Sequence, residues 1–279
     1  MLSYRHAFHA GNFADVLKHI TQILCLEHFL KKDKAFTYLD THSGAGMYEL
    51  SASESQKTGE YLQGIAKLWE LQQAPDAVEK YLEVVRHFNS NIDLDFYPGS
   101  PAIAHQFLRA QDNSHCFELH PTDANLLKQN LRHIRRSKVH TSDGYTGVKA
   151  LLPPPSRRGL VFIDPPYELK TDYVKAIQAI EQGYKRFSTG TYCLWYPVVQ
   201  RPYVHQIIDT LNSTAIKNVL QVEWCLQADS DAFGMTGTGM LIVNPPWTLK
   251  RELEVVMPFL EQHLGSTMSH YKIQQLIAE

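Results

Sequence analysis

The chain has 279 residues, of which 44% are hydrophobic, 20% charged and 11% aromatic. That balance excludes a disordered chain and a disulfide mini-scaffold and leaves enough sequence for a sizeable core. The formal net charge is -2, so the overall basic footprint of many nucleic-acid binders is missing. No stretch approaches the ~18 consecutive apolar residues of a membrane span, and Met1 to His6 lacks the apolar centre of a secretion signal, which places the chain in the cytoplasm. Cys25, Cys116, Cys193 and Cys225 are far apart and form no Cys-x-x-Cys pair, arguing against a disulfide framework and a metal site.

An arm, residues 1–11, leads through Asn12 as a candidate N-cap into a helix whose Val16, Leu17, Ile20, Ile23, Leu24 and Leu30 share one face. Lys18 and His19 fall two turns in, where helix position alone makes them solvated residues. Strand-like runs follow at Phe36–Leu39, His115–Phe117, Val139–Thr141, Leu160–Ile163, Thr191–Trp195, Val219–Cys225 and Met240–Val243. Helical patterns separate most of them, so a seven-stranded, mostly parallel α/β sheet with right-handed crossovers is expected. Ala228–Gly239 is too short and polar for a crossover helix, so the last two runs form an antiparallel hairpin.

The first run ends at Asp40 and the second at Glu118, whereas a plain βαβ unit places its second acidic strand end about 20 residues beyond the glycine loop. Residues 59–71 and 77–88 read as two helices, and Gly99-Ser100-Pro101 as a fresh helix start before Ala102–Arg109. The expected organisation is therefore a main domain of residues 1–46 and 99–279 with a helical insertion at 47–98, emerging at the carboxyl edge of the sheet.

Chemistry concentrates at the ends of these strands. Asp40-Thr41-His42-Ser43-Gly44-Ala45-Gly46 lets backbone approach a ligand, yet it lacks the third small residue of a dinucleotide fingerprint and the Gly-Lys-Ser/Thr ending of a triphosphate loop. Glu118 can accept from both ribose hydroxyls of an adenosine-type cofactor; by itself it reads rather as a surface acid, and only its company at neighbouring strand ends favours the ligand contact. Asp143-Gly144 fits an adenine-amine contact with a ring lying close, and also a simple turn. Asp164-Pro165-Pro166-Tyr167 follows the apolar fourth run. Its two prolines fix an extended exit and remove two donors, leaving acceptors suited to an amine with two N–H groups. Such acceptors can hold a poorly nucleophilic adenine N6, with Tyr167 stacked on the base.

Asn244-Pro245-Pro246-Trp247 repeats the pattern after the last run, where the prolines are expected to end a strand and Trp247 to pack, with a supporting role for Asn244 left open. Lys128, Arg132, Arg135, Arg136 and Lys138 concentrate positive charge in a span that suits phosphate contacts and a solvated helix face equally.

The combination Leu2-Ser3-Tyr4-Arg5-His6, His9-Ala10-Gly11-Asn12, Ala14-Asp15-Val16-Leu17-Lys18-His19, Asp40-Thr41-His42 and Asp164-Pro165-Pro166-Tyr167 resembles the RlmJ family over essentially the whole chain. Ser43 stands where that family more often has Ala. The resemblance implies a Rossmann-like class I methyltransferase that uses S-adenosylmethionine to methylate an adenine N6 in 23S ribosomal RNA. It implies a cofactor site at Lys18, His19, His42, Ser100, Glu118, Asp143 and Gly144, with Asp164 at the reacting amine and Tyr4 on the RNA. A monomer is expected, since RNA imposes no two-fold symmetry and no heptad stands out. The rival functions are a DNA adenine methyltransferase, a protein glutamine methyltransferase and a catalytically silent RNA-binding module.

Overall fold

A computed structural model describes residues 5–90, 93–134, 136–230 and 234–279. After a 3-10 turn at His6–Phe8, α1 (Phe13–Leu30) starts at Asn12, whose side chain accepts from the Asp15 N–H. This cap satisfies one of the orphan donors of the first turn. The chain continues through β1 (Thr37–Asp40), β2 (Met47–Glu49), α2 (Ser53–Thr58), α3 (Ile65–Trp69), α4 (Asp76–His87), β3 (Phe96–Pro98) and α5 (Ser100–His105). Next come β4 (Asn113–Phe117), α6 (Pro121–Asn130), β5 (Ser137–His140), α7 (Gly144–Leu151), β6 (Gly159–Ile163), α8 (Asp172–Arg186) and β7 (Thr191–Val198). The chain closes with α9 (Arg201–Asn212), β8 (Val219–Cys225), β9 (Gly237–Val243), α10 (Leu249–Leu264) and β10 (His270–Ile277).

The main sheet runs β10-β8-β9-β7-β6-β1-β4-β5. The β5, β4, β1, β6 and β7 strands pair in parallel, and β9 is inserted antiparallel between β7 and β8. β6 shows why the sheet is covered on both faces. Leu160 and Phe162 join one core with α1 and α10, while Val161 and Ile163 join the other with α8 and α9. All five residues of β6 are buried, as a two-sided strand requires.

The sheet has eight strands rather than the seven expected. The additional strand, β10, pairs antiparallel with β8 along the edge. Its His-Tyr-Lys-Ile-Gln-Gln-Leu-Ile sequence carries little apolar alternation because an edge strand buries little, and pairing with β8 creates it.

Between the ends of β2 and β3, which pair with each other, the chain makes a helical excursion. The helix expected over 59–71 is divided: Gly59 takes a left-handed φ of 62°, and α3 begins only after Gly64. A Cβ on Gly64 would stand 2.1 Å from the Gly11 carbonyl oxygen, which accepts from the Ile65 N–H. The opening arm therefore presses against this break. Similarly, α5 stops at His105 rather than Arg109, where Arg109 turns to bind Asp112. α4 packs on α1, and Val78, Tyr81, Leu82 and Val85 belong to the same core as α1.

Candidate active site

At the carboxyl ends of β1, β4 and β6 lies a cleft of about 680 Å³. Lys18, His19, His42, Ser100, Glu118, Asp143, Gly144, Asp164, Pro165 and Pro166 all line it. Parallel pairing explains the convergence: equivalent strand ends stand side by side, so acids far apart in sequence meet at one edge.

The wall from β1 is built on Asp40, which is fully buried. Its Oδ2 accepts from the Tyr38 hydroxyl at 2.8 Å and from Ser100 Oγ at 2.7 Å, and its Oδ1 from the His42 N–H at 3.3 Å. Burial raises the Asp40 carboxyl to about 6, against the pull of these donors. Ser100 at the start of α5 is thus tied to the end of β1. His42 shares a 2.7 Å hydrogen bond between its Nδ1 and Thr41 Oγ1. Burial lowers its pKa to about 4, despite Asp164 and Asp143 nearby, so His42 is neutral at pH 7.

The opposite wall carries two acids. Glu118 Oε2 accepts from the Gly44 N–H and Oε1 from the His120 N–H, at 2.8 and 2.7 Å. Burial raises the Glu118 carboxyl, opposed by these amides. Each oxygen retains a lone pair for a ligand hydroxyl. Asp143 is the N-cap of α7, accepting from the Tyr145 N–H and Thr146 Oγ1. The turn and the ligand contact are therefore compatible at this residue. A Cβ on Gly144 would lie 2.0 Å from the Thr41 carbonyl oxygen, so glycine lets the β1 and β5 loops close on each other.

Asp164 sits at the centre. Lys18 Nζ reaches Asp164 Oδ2 and Asp15 Oδ1, both at 2.6 Å, and Lys18 is only 3% exposed. Asp15 also accepts from the Gly11 N–H and pairs with His6 Nε2, each at 2.9 Å. Burial acts to raise the Asp15 carboxyl, and His6, Lys18 and His19 outweigh it and hold the group well below its usual range. Desolvation similarly acts against the Lys18 charge, and the two carboxylates overcome it and raise its pKa. His19 is buried with Nδ1 2.8 Å from the Tyr97 hydroxyl. Burial lowers its pKa to about 3. Neither residue is the solvated one that helix position suggests.

The sequence reading missed Asp15 and Asp40. Both occur in motif blocks quoted above, and only the fold shows that each bridges two elements. Tyr167 differs from expectation in the other direction. It takes a left-handed φ of 52°, donates its hydroxyl to the Trp195 carbonyl at 2.6 Å and packs beside Tyr173 and Trp195. It does not line the cleft, so base stacking does not fit this arrangement. The second motif is also corrected. β9 is antiparallel, which carries Asn244 to the amino edge, where its amide donates to the Ser188 and Gly190 carbonyls. It cannot support Asp164 from there. Trp247 does not pack: it is 79% exposed, with the Lys31 ammonium 5.7 Å from its ring centre. Tyr4 and Arg135 lie outside the described residues.

Parallel strands β5-β4-β1-β6-β7, a β9 reversed beside β8, and acids at successive strand ends define a class I S-adenosylmethionine-dependent methyltransferase fold. The cleft's donor set fits that cofactor. Carboxylates with spare lone pairs at Glu118 and Asp143 suit ribose hydroxyls and an adenine amine, and glycines open the space between them.

Residues 33–277 match the model of the family described as Ribosomal RNA large subunit methyltransferase D, RlmJ, and the chain belongs to this family. It is 51% identical over 264 residues to Ribosomal RNA large subunit methyltransferase J of Escherichia coli K12, covering 95% of this chain and 94% of that one. It is 49% identical over 265 residues to the protein of the same name from Haemophilus influenzae, with the same shares covered. The crystal structure of a Legionella pneumophila protein is similar at a TM-score of 0.89 and 40% identity, covering 96% of this chain and 98% of that one.

Proposed function

We propose that the chain transfers a methyl group from S-adenosylmethionine to the N6 amine of an adenine in 23S ribosomal RNA, in the cytoplasm and as a monomer. The observation that carries this reading is Asp164, held by Lys18 in the same cleft as Glu118 and Asp143. In this reading residues 1–46 and 99–279 form the methyltransferase domain and residues 47–98 an inserted subdomain. Tyr4 contacts the RNA.

When bound, the cofactor supplies a methyl group on a positively charged sulfur, which the adenine nitrogen displaces. Glu118 would hold the ribose, Asp143 and Gly144 the adenine, and Lys18, His19, His42 and Ser100 the remainder. Asp164 Oδ2 is occupied by Lys18, which leaves Oδ1 to accept one N6–H of the target base. The Pro165 carbonyl accepts the other. Together they orient the nitrogen lone pair, which in free adenine is delocalised into the ring. The surplus proton passes to Asp164 and on to water. The target base must leave its stack, which costs least in a loop, bulge or open strand of RNA.

The test is to incubate the protein with labelled S-adenosylmethionine and separate pools of unmodified ribosomal RNA, duplex DNA and protein, then digest and identify the product. N6-methyladenosine from RNA, lost in Asp164→Ala with cofactor binding retained, is the expected result. Label in DNA or protein would overturn the substrate, and a fully active Asp164→Ala would overturn the mechanism.

A further inference from the structure

The amino edge of the sheet, opposite the cleft, carries the second Pro-Pro motif and a cluster of cations that the reaction does not use. Lys31, Lys32 and Lys34 lie in the connection between α1 and β1, and Arg157 and Arg158 directly precede β6, which pairs with β1 through Thr37 and Gly159. Two guanidiniums fix this connection. Arg109 donates to the Lys32 and Lys34 carbonyls at 3.1 and 3.0 Å, and Arg158 donates to the Lys34 and Phe29 carbonyls. Acids offset only part of the charge: Asp112 and Asp33 face Arg109, while among the described residues Lys31, Lys32, Lys34, Arg157 and Arg158 have no ion-pair partner. His28, near the end of α1, has its pKa lowered by burial and then by Lys31, Arg158 and Lys32, so it lies within their shared field. β9 ends at the same edge, which brings Trp247 to the cluster. Asn244 donates to the Ser188 and Gly190 carbonyls, Pro245 and Pro246 restrict the backbone after it, and the Leu249 N–H donates to the Pro246 carbonyl at 2.9 Å. The Trp247 ring is thus presented on a fixed stem, exposed to solvent with Lys31 Nζ beside it.

We infer that this amino-edge patch is a second docking surface for the substrate RNA, with an unpaired base stacked on Trp247 and phosphates held by Lys31, Lys32 and Lys34. The inference rests on the RNA reading above and adds a contact that the catalytic cleft does not make. A bare aromatic ring beside fixed cations suits single-stranded nucleic acid, because every base offers a face for stacking and the backbone supplies the anions. The carboxyl edge gathers Glu118, Asp143 and Asp164, so the field across the sheet favours phosphates at the amino edge. A protein interface would surround Trp247 with apolar side chains, whereas the neighbour found here is an ammonium. Between Lys18 in the cleft and Lys31 in the patch, α1 rises about 20 Å, so an RNA that reaches both extends beyond the loop holding the target base.

The test is steady-state methylation of unmodified 23S ribosomal RNA by Trp247→Ala and by a triple variant, Lys31→Ala with Lys32→Ala and Lys34→Ala. Losing the stacked base should raise the KM for RNA at least about 5-fold, with kcat and the affinity for S-adenosylhomocysteine unchanged. Trp247→Phe keeps a stacking face and should recover most of the loss. In an anisotropy titration the triple variant should flatten the slope of log affinity against log salt by about 2, at about 0.7 for each phosphate contact removed. All four side chains are exposed, so the thermal midpoint should stay level. An unchanged KM and salt slope in both variants would overturn the inference. So would a loss seen only with assembled ribosomal particles and not with naked RNA, which would assign the patch to a protein. If wild type itself methylates no ribosomal RNA, the substrate reading falls and this inference with it, whereas an active wild type with indifferent variants removes the inference alone.

Discussion

Asp15 is expected to matter more than its place outside the motif chemistry suggests. It is 1% exposed and accepts from three directions: His6 Nε2, the Gly11 N–H and Lys18 Nζ. Asp15→Ala leaves these donors facing a void and Lys18 with Asp164 alone. Breaking a buried pair from one side costs about 3–5 kcal/mol. For a chain of this size each kcal/mol moves the thermal midpoint by about 2–4 °C, which gives a drop of roughly 6–20 °C. Asp15→Asn keeps the shape and one acceptor, so its stability loss should be smaller, about 1–3 kcal/mol. The ammonium then lacks the charge that draws it away from Asp164, and a small displacement of a positioned group can lower kcat by about 100-fold. The assay is single-turnover methyl transfer to ribosomal RNA, beside calorimetric titration with S-adenosylhomocysteine and thermal unfolding. A double-mutant cycle with Lys18→Met should show a coupling of about 0.5–3 kcal/mol. An Asp15→Asn protein with wild-type kcat and midpoint, and additive behaviour with Lys18→Met, would refute the network.

Gly144→Ala would place a methyl 2.0 Å from the Thr41 carbonyl oxygen, forcing the two loops apart. Overpacking of this kind costs about 1–3 kcal/mol, and cofactor affinity should fall by more than about 10-fold; unchanged unfolding and binding curves would contradict this. Asp40 gives a pH signature. Its carboxyl is raised from 3.8 to about 6 in the folded chain. The stability it contributes is therefore fully present below the unfolded value and is lost as pH rises through about 6, a change on the order of 3 kcal/mol. Relative to wild type, Asp40→Asn should gain stability as pH increases from about 4 to about 6; parallel unfolding curves for the two proteins would show that the proton is elsewhere. Among the described residues Lys128, Arg132, Arg136 and Lys138 have no ion-pair partner, and neutralising them should weaken RNA binding. Each phosphate contact removed should flatten the slope of log affinity against log salt by about 0.7, and an unchanged slope in an anisotropy titration would make this a solvated face.

The identity of this protein is carried by local sequence. The apolar spacing from Val16 to Leu30 specifies α1, and Asn12 supplies its start. Continuous apolar residues from Leu160 to Ile163 specify a strand buried on both faces, and two prolines end it at Asp164. These are short-range rules of period and capping, so the local order of residues suffices to read them. The hairpin of β8 and β9 follows from the same logic, because a short polar connection permits no crossover.

What tertiary structure decided depends on distance in the chain. Lys18 and Asp164 are separated by 146 positions, and only parallel pairing brings the end of β6 against α1. Burial then makes a charged pair of residues that helix position alone would leave in water. The same dependence turned Tyr167 away from the cleft, because the Trp195 carbonyl on neighbouring β7 captures its hydroxyl. It also reversed the value of two similar motifs. Asp164 and Asn244 each precede two prolines, but β6 runs to the carboxyl edge of the sheet and β9 to the opposite one. A dipeptide pattern does not encode strand direction; the pairing of the whole sheet does.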